Sequence, residues 1–148
     1  MLSRRIFLII NPEYNNECVG VFLYTEAIKE FRVQIRKGIF DGRYPAIMGF
    51  YGIRGYNELP SNWAIRWVRE RIIPPNRVNI KDILRSAGLK QYDEFGMLMY
   101  TNGRTCQDGA ELKEITEDEY IKYCKEYDLE VIPPPSNSNP NDETNLFK

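Results

Sequence analysis

The sequence predicts one α/β domain of the α+β kind, a small mixed sheet with three to four helices packed on it, over residues 1–132, followed by a flexible tail over 133–148. Three observations predict it. Short apolar runs end at turn residues, as strands do. Other tracts place apolar residues at helical spacing between capping signals. From Pro133 the composition turns to PPPSNSNPNDETNLFK, rich in proline, serine and asparagine, which buries too little surface to offset chain entropy. A chain of 148 residues has the size of a single domain.

In chain order, Arg5 to Ile10 carries five consecutive large apolar residues closed by Asn11-Pro12, which reads as a buried strand, and Val19 to Tyr24 reads as a second. Thr25 stands where an N-cap belongs and Gly38 where a helix ends, so a helix is predicted over 26–37, although Phe31, Val33 and Ile35 also alternate as a strand does. Ala46 to Tyr51 is a third strand candidate, with Gly49, Gly52 and Gly55 marking turns around it. Ser61 or Asn62 caps a tryptophan-bearing helix that Pro74-Pro75 ends. Asn79 with Asp82 resembles a capping box for a helix with Ile80, Ile83, Leu84 and Ala87 on one stripe, closed by Gly88. Phe95 to Tyr100 reads as a strand ended by Asn102-Gly103. Thr116 and Glu119 form a capping box for a last helix whose Tyr120, Ile121, Cys124 and Tyr127 face the core.

Composition removes several function classes. The chain has no histidine, which takes away the usual general base and the commonest metal ligand, and with it Ser-His and Cys-His catalysis. Three cysteines with no CxxC pair support neither a disulfide framework nor a zinc site. The glycines of GFYGIRG fit neither phosphate-binding loop pattern. No cofactor or metal is expected, and the chain is expected to be non-catalytic. The apolar run from Ile6 is too short for a membrane span or a signal core, and a reducing cytoplasm fits the cysteine usage. Net charge is −1, so any nucleic-acid contact depends on a local patch.

Such a patch is WAIRWVRERIIPPNR, Trp63 to Arg77, where two tryptophans and four arginines share fifteen residues. Trp63 and Trp67, four apart, fall on one helix face with Val68, while Arg66 and Arg69 flank it. Guanidinium groups pair with carboxylate or phosphate and stack on indoles. Two readings stand side by side: the tryptophans and arginines grip a partner, or they anchor the core and a solvated flank, with Arg77 bonding the carbonyls that end the tryptophan helix.

From Asn62 to about Ile115 the order is a tryptophan helix with Trp63, Trp67, Arg69, Arg71, Ile73, Pro74 and Arg77, an amphipathic helix ending in glycine, an apolar run, and a polar glycine turn with Gly103, Thr105, Gln107 and Asp108. This resembles the amino-terminal subdomain of HipA-type serine/threonine kinases over about a third of the chain, although GRTCQDG lacks the aromatic pair that follows the family's turn. The resemblance implies a small module that packs beside a kinase in a toxin–antitoxin assembly and, as a separate protein, restrains it. The contact residues expected on this basis are Trp63, Arg66, Trp67, Arg69, Arg71, Arg77, Arg104 and Asp108, in a bacterial or phage-borne regulator that meets a kinase or another enzyme. An alternative is a mobile-element inhibitor that binds nucleic acid through Arg66, Arg69, Arg71, Arg77, Lys81 and Arg85, with Tyr51, Tyr56 or Trp63 stacking on bases. A third reading makes the acid-rich region from Asp93 onward a nucleic-acid mimic. Self-association remains open.

Overall fold

Runs of large apolar residues become strands buried on both faces. β1 (Arg5–Asn11) pairs antiparallel with β2 (Glu17–Thr25) on one side and with β4 (Glu111–Ile115) on the other, and β2 pairs antiparallel with β3 (Glu30–Ile35). The strand order is therefore β3-β2-β1-β4, every pairing antiparallel. This computed structural model describes residues 2–39, 43–45, 47–105 and 108–136. Gln107 and Ala46, named above, lie outside the described residues, as do Cys106 and the Leu146-Phe147 pair of the tail.

Because side chains alternate across a strand, cross-strand partners share a face. Phe7 sits opposite Phe22 and Ile6 opposite Leu23, so one face carries Phe7, Ile9, Phe22, Tyr24, Phe31, Val33 and Ile35, and the other Ile6, Val21 and Leu23. An irregularity in register between Ile9 and Ile10 lets Val19 join the first face. Four helices supply the cover for that face: α1 (Met48–Gly52), α2 (Ser61–Arg69), α3 (Ile80–Ala87) and α4 (Glu94–Thr101). A fifth, α5 (Glu117–Glu126), covers the second face with Tyr120, Tyr123 and Cys124, and Leu129 and Ile132 in the following segment complete that layer. The result is a three-layer α/β domain, with five helices among the described residues.

Local signals decide several boundaries. Thr116 Oγ1 accepts from Glu119 N at 3.1 Å while Glu119 Oε1 accepts from Thr116 N at 3.0 Å, the capping box read from the sequence. Gly88 closes α3 at φ 73°, and Asn102 and Gly103 close α4 at φ 55° and 74°. Ile121, expected to face the core, is half exposed on the outer side of α5. Asn79 makes no side-chain cap on α3.

Three segments differ from the sequence expectation. Residues 26–37 hold a short 3-10 turn (Glu26–Ile28) and then β3 rather than a helix. The two-residue alternation of Phe31, Val33 and Ile35 prevails because pairing with β2 puts all three into the first core. Phe95 to Tyr100 lies in a helix: Asp93 accepts from Gly96 N at 2.7 Å as its N-cap, and a run rich in Met and Leu buries as a helix that is apolar on most sides. Of the segment expected as a strand from 46 to 51, residues 48–51 lie in α1, a single turn anchored by fully buried Met48. Gly20 leaves the room for that anchor, since a Cβ there would lie 2.8 Å from Met48 Cε.

Candidate functional site

The elbow after α2 splits into interior and surface. Trp67 is 1% exposed and stacks on Phe22, with centroids 5.7 Å apart, over the sheet. Arg71 is 5% exposed; Nη1 and Nη2 donate to the two Asp108 oxygens at 3.0 and 2.7 Å, and Nη1 also donates to the Gly103 carbonyl at 3.0 Å. Its guanidinium carbon lies 4.1 Å from the Trp67 ring centroid. Trp67, Arg71 and Asp108, expected as contact residues, thus form an internal brace that ties α2 to the turn after α4. The reason is geometric: the residues from Trp67 to Arg71 run over the sheet, so their inward side chains meet Phe22 and the Gly103 turn before they meet solvent.

The remaining arginines are outside and mostly paired. Arg66 Nε lies 3.3 Å from Glu70, Arg69 Nε 2.7 Å from Glu94, Arg85 Nη1 3.6 Å from Asp82 and Arg104 Nε 2.9 Å from Glu111. The hydrogen bond that Arg69 Nε donates to Glu94 raises the pKa of Arg69 further above its ordinary value. Arg77 is exposed, and among the described residues its side chain holds no carbonyl of α2. Four members of the expected cationic stripe, Arg66, Arg69, Arg71 and Arg85, thus stand beside carboxylates, which offsets its field for phosphate.

Trp63 belongs to a different neighbourhood. The first turn of α2 overhangs the edge of the first layer, so Trp63 stays partly exposed and faces α1. There it joins an aromatic cluster centred on Tyr51, whose ring lies 5.1 Å from Phe50, 5.2 Å from Tyr56 and 6.2 Å from Trp63. Ile47, Phe50, Tyr51 and Trp63 line an apolar cavity of 210 Å³. Phe50 is 55% exposed, Ile53 56% and Tyr56 51%. Two guanidiniums lie on the rings: Arg54 is 3.7 Å from the Phe50 centroid and Arg66 5.0 Å from that of Trp63. Arg54 Nη1 also donates to the Phe50 carbonyl at 2.6 Å, which fixes the guanidinium over the ring.

The backbone holds this cluster in place. Ile47, a β-branched residue, sits at φ 72°, a conformation that costs roughly 1–3 kcal/mol and persists only where surrounding contacts impose it. Gly52 lets α1 press on the sheet side, because a Cβ there would lie 2.9 Å from Tyr44 Cζ. Met48 and Tyr44 pull α1 inward from beneath, and its outer face is left to Phe50 and to Ile53 just beyond it. Sequence reasoning named Tyr51, Tyr56 and Trp63 as stacking candidates but missed Phe50, Ile53 and Arg54. The signal was in GFYGIRGY, whose apolar residues do not alternate as a strand facing a core would require.

Other groups have local explanations. Tyr120 donates to Gln34 Oε1 at 2.6 Å and accepts from Ile132 N at 3.0 Å, and Gln34 Nε2 donates to the Glu130 carbonyl at 2.6 Å, so a buried polar side chain on the second face is fully used. Cys18 and Cys124 are free thiols whose pKa values burial pushes up. Among the described residues no cluster of acidic, cysteine or histidine side chains has metal-site geometry, and no helix is long and apolar enough to cross a membrane. Compared with family models, curated proteins and solved structures, the chain matches none of them.

Proposed function

We propose that the chain is a non-catalytic protein-binding module that regulates a partner enzyme, and that it meets this partner through the aromatic surface of α1 and α2. One observation carries the reading: Phe50, Tyr51 and Trp63 line an apolar cavity with Ile47, Arg54 and Arg66 lie over the Phe50 and Trp63 rings, and Phe50, Ile53 and Tyr56 are each at least half exposed. Aromatic and arginine side chains dominate the energetics of protein interfaces, and a contiguous exposed apolar patch is uncommon on a surface that stays in water. The elbow itself, with Trp67, Arg71 and Asp108, serves the fold. Arg66 and Trp63 remain in the contact set; Arg69 and Arg104, paired with Glu94 and Glu111, and Arg77 are left outside it.

The resemblance of the region from Asn62 to Ile115 to the small subdomain of HipA-type kinases supports a kinase, in a toxin–antitoxin setting, as the class of enzyme restrained. The nucleic-acid alternative draws on Arg66, Arg69 and Arg85, and the carboxylates beside all three weigh against it. A cytoplasmic location is consistent with free cysteines at Cys18 and Cys124.

The test is capture of a protein by the tagged chain from lysate of its source, with nuclease and at raised salt, repeated with Phe50→Ala and Trp67→Phe. The expected result is a protein that survives nuclease and salt, is retained by Trp67→Phe, and is lost with Phe50→Ala. Retention by Phe50→Ala at wild-type level refutes the surface, and loss of all retained material on nuclease treatment refutes the protein-binding reading.

A further inference from the structure

We infer that the partner docks through an acidic segment that places one large apolar side chain, leucine, isoleucine or phenylalanine, into the cavity between α1 and α2. The inference rests on the proposed protein-binding reading and adds the chemistry of what is bound.

Size and lining set the central group. The cavity of 210 Å³ has room for one large side chain, and its wall is almost entirely carbon, from Ile47, Phe50, Tyr51 and Trp63. A nucleobase buried there would lose hydrogen bonds to water and gain few in return, whereas an aliphatic or phenyl group loses none. Ile47, at φ 72°, and Gly52, packed closely over Tyr44, belong to the backbone that carries these walls.

Charge sets the flanks. Among the described residues no carboxylate lines the cavity, and two of its lining rings, Phe50 and Trp63, each carry a guanidinium, from Arg54 and Arg66. Arg54 is fixed over Phe50 and, among the described residues, is paired with no carboxylate. Its remaining N–H donors are thus available for one carboxylate in the fork geometry that guanidinium favours. Arg66 shares Glu70 at 3.3 Å, a loose exposed pair that a second carboxylate can join.

A random dodecapeptide display library, panned on the full chain and in parallel on Phe50→Ala and Arg54→Glu, tests this directly. Both substituted residues are largely exposed, and each variant is checked by circular dichroism and melting. The expected outcome is enrichment on the wild-type chain of peptides that combine at least two Asp or Glu with a Leu, Ile or Phe. A synthetic copy of an enriched peptide binds Phe50→Ala at least about tenfold more weakly, and panning on Arg54→Glu shifts the selected peptides toward Lys and Arg. Enriched peptides that depend on Phe50 but are basic or lack an apolar anchor overturn the inferred chemistry and leave the protein-binding surface standing. Peptides indifferent to Phe50→Ala, or no enrichment at all, overturn the docking site. Tighter binding of single-stranded oligodeoxythymidylate than of any enriched peptide, lost in Phe50→Ala, overturns it in favour of nucleic acid.

Discussion

Replacing Arg71 by methionine removes the charge from the brace between α2 and the turn after α4 while keeping much of its volume. The wild-type guanidinium side chain is 3% exposed and makes two bonds to Asp108 and one to the Gly103 carbonyl. Without it, Asp108 keeps, among the described residues, the bond from Ala110 N at 3.1 Å and is left largely shielded from water with no cation beside it. Breaking a buried pair on one side costs about 3–5 kcal/mol, far more than the few tenths typical of an exposed pair. The value lies toward the lower end here, because Arg71 Nε and Trp67 Nε1 are buried without hydrogen-bond partners, so the native brace carries its own desolvation cost. At roughly 2–4 °C per kcal/mol for a domain of this size, the melting midpoint falls by about 6–20 °C. Urea unfolding of Arg71→Met, Asp108→Leu and the double variant measures it, and the double variant recovers most of the loss because no lone charge remains. A single-variant cost below about 1 kcal/mol, or strictly additive effects in the double variant, refutes the brace.

Trp67→Ala costs about 3–5 kcal/mol in chemical denaturation through a cavity against Phe22, whereas Trp63→Ala costs about 1 kcal/mol or less and instead weakens partner capture. Tyr120→Phe leaves the Ile132 amide and Gln34 Oε1 without their partner, so stability falls by about 1–3 kcal/mol and hydrogen exchange at the Ile132 amide accelerates. Burial, and then the neighbouring Glu26 carboxylate, pushes the Tyr24 hydroxyl up to about 12. The folded state therefore holds this proton more tightly than the unfolded chain, and the associated stability is full below about pH 10. It is lost as pH rises toward 12; Tyr24→Phe flattens this part of an alkaline melting profile, and an unchanged profile contradicts the assignment.

Much of the fold was legible where one signal stood alone. The apolar run of β1, the Gly88 stop of α3 and the Thr116–Glu119 capping box each had one structural meaning, and each is found. Ambiguity arose where a residue pattern fits two elements and a distant partner decides. Phe31, Val33 and Ile35 become a strand because β2 offers a pairing edge, and Phe95 to Tyr100 becomes a helix because Asp93 caps it. The candidate site was half legible for a similar reason. Trp63 and Trp67 lie on one helix face four residues apart, yet only the second reaches over the sheet, and nothing local to the helix records where the sheet ends. Arg71 and Asp108 are separated by 37 positions, so their pairing depends on how α4 returns to α2. Phe50 was hidden in a segment read as a strand, where alternate residues would have pointed inward, and Arg54 in the glycine turns that followed it.

The central claim is that the outer face of α1 and α2 meets a partner protein while the elbow beyond them does not. Site-specific photo-crosslinking tests it most directly, with benzoylphenylalanine placed at position 50 in one variant and at position 77 in another, each irradiated in lysate of the source and analysed by mass spectrometry. The account predicts a discrete protein adduct from position 50, abolished by competition with unlabelled chain, and none from position 77. An adduct confined to position 77, or nucleic acid as the only species joined at position 50, contradicts it.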